Sequence, residues 1–183
     1  MSPRIIGGSG KGRRLKAPAG GATRPTGARV RQTLFDILAP VIPESRFLDA
    51  FAGGGGVGLE ALSRGARRVV LIDESRSAIM AVRANVALLA EGTRAEVLQK
   101  DARTALAGLR DRGERFDVVF LDPPYGSDLY ERLLPLAEAV LADDGVIVAE
   151  HFHKRALPER MGRLVNARSV RIGDHRLTFY RVG

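Results

Sequence analysis

Short apolar runs alternate with stretches whose apolar residues recur every three or four positions, from residue 26 to residue 150. The runs predict buried strands at 46–51, 68–72, 95–99, 116–121 and 146–150. The clearest is Phe116-Asp117-Val118-Val119-Phe120-Leu121. So continuous an apolar segment fits a strand covered on both faces of a parallel sheet. The stretches between predict helices at 27–38, 59–63, 75–89, 102–110 and 129–141. In the first, Val30, Leu34, Phe35 and Leu38 form one buried face. Thr26 is placed as its N-cap, Arg24, Arg29 and Arg31 on or near its exposed side, and Pro40 and Pro43 past its end. Asp143-Asp144-Gly145 reads as the turn into the fifth strand.

Strands alternating with helices mean an α/β domain with a doubly wound, mainly parallel sheet. The rhythm breaks at the end of the chain, where 168–172 and 176–182 flank Gly173-Asp174-His175 and predict an antiparallel hairpin, for seven strands in all. At the start, Arg4-Ile5-Ile6 and Arg13-Arg14-Leu15-Lys16 flank a glycine-rich turn. Ser9-Gly10-Lys11-Gly12 lacks the Ser or Thr after the lysine that a phosphate loop needs, and no buried strand precedes it. Residues 1–25 are therefore expected to be a flexible basic hairpin or arm ending in a linker, and 26–183 one domain.

Composition narrows the class. Of 183 residues, 45% are hydrophobic and 27% charged, an ordinary globular balance. With no cysteine, disulfide frameworks and Cys-ligated metal or iron–sulfur sites are excluded. No apolar run nears the roughly 20 residues of a membrane span, and the N-terminus lacks the apolar core of a signal peptide. A cytoplasmic protein without a membrane partner is expected. The net charge of +8 points to a polyanionic partner, nucleic acid first. Arg4, Lys11, Arg13, Arg14, Lys16, Arg24, Arg29 and Arg31 all precede the first acid, Asp36, and are the candidate RNA contacts.

The candidate chemistry begins where the strand at 116–121 stops, at Asp122-Pro123-Pro124-Tyr125. Two prolines enforce a stiff loop at the strand's carboxyl end, the edge where open α/β sheets bind ligands. The Asp122 carboxylate and the Pro123 carbonyl are two acceptors, and Tyr125 is a flat face. Together they suit a planar base carrying an exocyclic amino group. Upstream, Gly53, Gly55 and Gly58 stand as G-x-G-x-x-G between a strand and a helix, and Asp73 ends the next strand 20 residues after Gly53. That context fits an adenosine-bearing cofactor whose ribose hydroxyls bond the acid. Asp49, four residues before Gly53, would repel a pyrophosphate and suits an ammonium group, which favours S-adenosylmethionine over a dinucleotide. Asp101 is placed to accept from the adenine amino group. His151 and His153 read as surface histidines at a strand end; with no third ligand beside them, no metal is expected. His153, Lys154 and Arg155 are either RNA contacts or a solvated basic loop.

These motifs resemble class I S-adenosylmethionine methyltransferases acting on base amino groups, and more closely the RsmD family of bacterial 16S rRNA guanine-N2 methyltransferases. The matching pieces are Arg4-Ile5-Ile6-Gly7-Gly8, Arg24-Pro25-Thr26 with Arg29-Val30-Arg31-Gln32-Thr33-Leu34-Phe35, Asp49-Ala50-Phe51-Ala52-Gly53, Gly58-Leu59-Glu60-Ala61-Leu62-Ser63-Arg64-Gly65-Ala66, and the strand ending in Asp122-Pro123-Pro124-Tyr125. Gly54 stands where the family commonly has serine, Gly56 where it has another small residue, and Asp73 where it often has glutamate. The resemblance implies a Rossmann-like class I fold and a catalytic loop of Asp122, Pro123, Pro124 and Tyr125. It implies a cofactor site at Asp49, Ala50, Phe51, Gly53, Gly55, Gly58, Asp73, Glu74, Asp101, Ala102 and Asp122. It further implies one guanine of 16S rRNA as target, within an assembled or assembling 30S subunit; a monomer is expected.

Three other readings stay open. An amino-methyltransferase acting on DNA or another RNA would share the proline loop, although such DNA enzymes usually carry a separate target-recognition region. A non-catalytic assembly factor would be expected to have lost the acids of the cofactor site. A nicotinamide oxidoreductase is disfavoured by Asp49 and by the proline loop.

Overall fold

The computed structural model describes residues 3–20, 26–124 and 129–183. Helix α1 (Ala28–Leu38) precedes strand β1 (Arg46–Asp49). Then α2 (Gly56–Ser63) leads to β2 (Arg68–Asp73), α3 (Arg76–Leu89) to β3 (Ala95–Gln99), α4 (Ala102–Asp111) to β4 (Phe116–Leu121), and α5 (Tyr130–Glu138) to β5 (Leu141–Phe152). Strands β6 (Arg160–Met161), β7 (Leu164–Ile172) and β8 (His175–Val182) follow. All eight join one sheet in the order β3-β2-β1-β4-β5-β8-β7-β6. Strands β1 to β5 pair in parallel, and β8 and β7 extend the sheet antiparallel. The seven expected strands are present, and the two-residue β6 lengthens the far edge. No helix among the described residues is long and apolar enough to cross a membrane.

Both faces of the parallel strands are covered. Phe47, Val69, Leu71, Val118, Phe120, Val146 and Val148 pack against α1, α2 and α3 through Leu34, Phe35, Leu59, Leu62, Val82 and Val86. Their neighbours Leu48, Val70, Ile72, Val119, Leu121, Ile147 and Ala149 pack against α4 and α5 through Leu106, Leu109, Leu133 and Leu134. This alternation follows from the two-residue period of a strand. It also decides where the polar strand ends point. Asp49, Asp73, Asp122 and Glu150 each lie two residues beyond Phe47, Leu71, Phe120 and Val148, so all four acids share the α1–α3 side of the sheet. The chain winds outward from β1 to β3, then returns to lay β4 and β5 on the other side of β1. The crevice left at that reversal, beyond the carboxyl ends of β1 and β4, is where such sheets take ligands.

Four local expectations are corrected. Strand β5 starts at Leu141, so Asp143-Asp144-Gly145 lies inside it. Two positions of β4, from Phe116 to Val118, span five of β5, from Leu141 to Val146, and the extra residues are absorbed as a bulge. Gly27 occupies the cap position of α1, without a side-chain cap bond, and Thr26 faces the crevice instead. Arg31 is buried rather than exposed; its guanidinium donates to the carbonyls of Arg4 (2.5 Å) and Gly56 (3.4 Å).

The last correction concerns the basic segment. It is tied down, because Ile5 and Leu15 are both 1% exposed and belong to the core. The fully buried Glu60 of α2 accepts from the backbone N–H of Ile6 (2.8 Å) and Gly7 (2.7 Å) and from Arg64 Nε (2.7 Å). Ser63 bonds Gly10 N–H and the Gly7 carbonyl. Asn85 of α3 bonds both backbone groups of Lys16 and the Gly54 carbonyl (2.9 Å), which fastens the segment beside the glycine loop. Gly8 has φ +75°, and a Cβ there would lie 1.7 Å from the Ser63 carbonyl oxygen, so only glycine fits.

Candidate active site

The crevice holds a cavity of about 460 Å³. Its walls include Ala50, Phe51 and Gly53 after β1, Asp73, Glu74 and Ser75 after β2, Lys100, Asp101 and Ala102 after β3, and Asp122, Pro123 and Pro124 after β4. Thr26, Leu129, Glu150 and His175 complete it. Eight of the eleven residues expected at a cofactor site thus line one cavity.

The other three, Asp49, Gly55 and Gly58, stand behind its wall. Gly55 (φ +83°) turns the chain into α2. Gly58 lets α2 press on the sheet, since a Cβ there would meet Leu71 Cδ2 at 2.8 Å. Asp49 is 1% exposed; its Oδ2 accepts from Gly58 N–H (2.9 Å), while its Oδ1 is buried with no hydrogen-bond partner. Burial pushes this carboxyl up to about 7, against the Gly58 N–H bond and with help from the Asp73 charge.

Asp73 fixes the glycine loop, its Oδ2 accepting from Gly53 N–H and its Oδ1 from Ser75 N–H, both at 2.8 Å. Each oxygen keeps a lone pair for a ligand hydroxyl. Asp101 lines the cavity and also caps α4, accepting from the N–H of Arg103 (3.1 Å) and Thr104 (3.2 Å). Pro123 is buried and Pro124 exposed; Tyr125 lies outside the described residues.

Asp122 shares its end of the cavity with an acid that the motifs did not single out. Glu150 is 1% exposed. Its Oε1 lies 2.7 Å from His175 Nδ1, and its Oε2 is buried with no hydrogen-bond partner. Burial raises the pKa of Asp122, and the charge of Asp49 adds to this. Glu150 is raised further, by burial and then by the charge of Asp122. The Thr26 hydroxyl lies beside both carboxyls and favours their ionised forms. The sequence carried a signal for Glu150: it ends an apolar run at the same strand parity as Asp49, Asp73 and Asp122.

Of the candidate RNA contacts, Arg4, Lys11, Arg13, Arg14, Lys16 and Arg29 are exposed. Arg31 is buried by the contacts described above, and Arg24 lies outside the described residues. His151 is not a surface residue either. It is 2% exposed, its Nε2 sits 2.8 Å from Thr178 Oγ1, and burial lowers its pKa.

With this geometry in place, relatives can be compared. The family model described as "Conserved hypothetical protein 95" matches residues 3–181. Ribosomal RNA small subunit methyltransferase D of Escherichia coli (strain K12) is 42% identical over 157 residues, 85% of this chain and 77% of that protein. The structure of yhhF from Escherichia coli superposes with a TM-score of 0.87 at 37% identity, covering all of both chains. A SAM-dependent methyltransferase from Agrobacterium tumefaciens shares the fold, with a TM-score of 0.59 at 22% identity over 69% of this chain and 46% of that one. The chain belongs to the RsmD family, that of ribosomal RNA small subunit methyltransferase D.

Proposed function

We propose that the protein transfers a methyl group from S-adenosylmethionine to the N2 amino group of one guanine in 16S rRNA, within an assembled or assembling 30S subunit. The observation that carries this reading is that Asp122 and Pro123, the two residues after β4, line the same cavity as Gly53 and Asp73. The family's rRNA methyltransferases support it.

The residues fit the cofactor. Asp73 offers acceptors to ribose hydroxyls, and Asp101 offers one to an adenine amino group. The unpartnered Oδ1 of Asp49 is a buried acceptor in need of a cationic donor. When bound, the cofactor supplies an electrophilic methyl group and a positive charge. The rest is the work of this chain. Asp122 and Pro123 take the two N–H bonds of the target amino group, which localises its otherwise delocalised lone pair and aims it. The base must leave its stack to enter, and Tyr125 is the proposed stacking partner.

The pH dependence of cofactor binding tests the electrostatics. Asp49 holds a proton in the folded, ligand-free protein up to about pH 7, against 3.8 for an ordinary aspartate. The folded state therefore binds more protons than the unfolded state across that window. This group's contribution to stability is fullest at low pH and is lost as pH rises through 7. A cationic ligand favours the ionised form, so its affinity should run the opposite way. Calorimetric titration is expected to show binding weakened by about tenfold from pH 8 to pH 6. Affinity that stays flat across that range would show that Asp49 does not meet the ligand's charge.

The exposed cations Arg4, Lys11, Arg13, Arg14, Lys16 and Arg29 are proposed to neutralise RNA phosphates. Replacing Lys11, Arg13 and Arg14 together by alanine should lower the slope of log K against log salt by about 2, at about 0.7 per phosphate contact on single strands. An unchanged slope would move the RNA to another face.

The substrate is tested by offering labelled cofactor to small subunits from cells lacking the activity, to naked 16S rRNA and to DNA. Label is expected in the subunits; label in DNA alone would favour the DNA enzyme.

A further inference from the structure

The methylated amino group must lose a proton, and beside Asp122 the cavity wall is formed by the buried Pro123 and Glu150. Four residues that line the cavity lead from Asp122 toward the rim. Asp122 faces the target position in the cavity. Thr26 lines the cavity together with Asp122 and Glu150, and its hydroxyl favours the ionised form of both. Glu150 Oε1 is 2.7 Å from His175 Nδ1, and the His175 side chain is 17% exposed against 1% for Glu150, so the imidazole connects the interior to the rim. Nothing else in the proposed reaction uses Glu150 or His175.

The geometry points to a proton relay that runs from Asp122 through Thr26 and Glu150 to His175 and solvent. This rests on the reading of Asp122 given above. The balance is simple. An N–H bond of the methylated amino cation breaks and an O–H bond forms on Asp122. Asp122 then gives its proton to the Thr26 oxygen as the Thr26 hydroxyl proton passes to Glu150. Glu150 gives a proton to His175 Nδ1, and His175 releases one from Nε2 to water. The amino product is left neutral, Asp122 and Glu150 return to their starting states, and rotation of the Thr26 hydroxyl and of the His175 ring restores the starting hydroxyl direction and tautomer.

The groups around Glu150 suit it to this role. Asp122 faces it from the end of β4, Asp49 from β1, Thr26 from the entry to α1, and His175 from β8, while Tyr130 of α5 donates its hydroxyl to the Glu150 backbone carbonyl. The surrounding acids keep Glu150 ready to hold a proton, and His175 Nδ1 lies within hydrogen-bond distance of it.

The test is rapid mixing of enzyme, cofactor and substrate in weak buffer with a pH indicator, with methyl transfer followed in parallel. In the wild type, proton release is expected to keep pace with methyl transfer. In Glu150→Gln, the first methyl transfer is expected to stay within about threefold of wild type while proton release and later turnovers slow by about tenfold or more. Thr26→Val, a change at one hydroxyl, and His175→Gln are expected to separate the two events in the same way. Thr26→Val carries the test if Glu150→Gln fails to fold. Proton release that still keeps pace with methyl transfer in the folded variants would overturn the relay alone. A wild type that methylates no guanine amino group would overturn the functional reading and the relay with it.

Discussion

Replacing Asp122 by alanine is expected to lower kcat by about 10³-fold while the cofactor dissociation constant stays within about threefold of wild type. The loss corresponds to about 4 kcal/mol of transition-state stabilisation. Two facts separate this outcome from unfolding. Asp122 sits among Asp49 and Glu150, so removing its charge relieves like-charge repulsion and should not lower the melting temperature. Asp73 keeps its bonds to Gly53 and Ser75, so the glycine-loop side of the cavity stays built. Asp122→Asn keeps one acceptor oxygen and should fall between alanine and wild type. Single-turnover kinetics, calorimetric titration and thermal melting read the three quantities. Turnover unchanged in Asp122→Ala would remove the residue from the chemistry.

Glu60→Ala is expected to be the most damaging change away from the cavity. Glu60 is fully buried and accepts from two backbone N–H groups and one arginine. Its loss leaves three half-buried donors without their acceptor. Breaking a buried charged network costs about 3–5 kcal/mol, which in a chain of this size is about 10 °C or more in melting temperature. Calorimetry measures the first effect. Hydrogen exchange measures the second: the amides of Ile6 and Gly7 should lose protection first, because they are the groups that Glu60 holds. Melting unchanged within about 2 °C would mean that the basic segment is fastened by Ile5, Leu15 and Asn85 without it.

What the chain discloses before it folds depends on how local the signal is. The strand ends carrying Asp49, Asp73 and Asp122 were legible because each closes an apolar run and is followed by glycine, a helix start or proline. Glu150 closes a similar run, but His151 and Phe152 continue the strand, so no loop marks it as a site edge. Thr26 precedes a helix and resembles a cap. Gly27 takes that place, and Thr26 lines the cavity with Asp122 and Glu150. Charge groups Arg31 with its basic neighbours, although Arg31, Leu34, Phe35 and Leu38 fall at one helical face. That spacing is the better guide, and the Arg4 and Gly56 carbonyls accept from the two terminal nitrogens of the buried guanidinium. The basic segment reads as an arm by its glycines and charges; only Ile5 and Leu15, which are apolar residues ten positions apart, announce that it docks. Asp143-Asp144-Gly145 has turn chemistry, yet pairing with β4 on one side makes it a bulge.

The central claim is that the Asp122-Pro123 acceptors aim a guanine amino group. Digestion of the labelled rRNA to nucleosides after reaction with methyl-labelled cofactor tests it most directly. Label in N2-methylguanosine at a single site is the predicted result. Label in N6-methyladenosine or in a ring-methylated base would contradict it, because the acceptor pair would then serve a different edge or a different base.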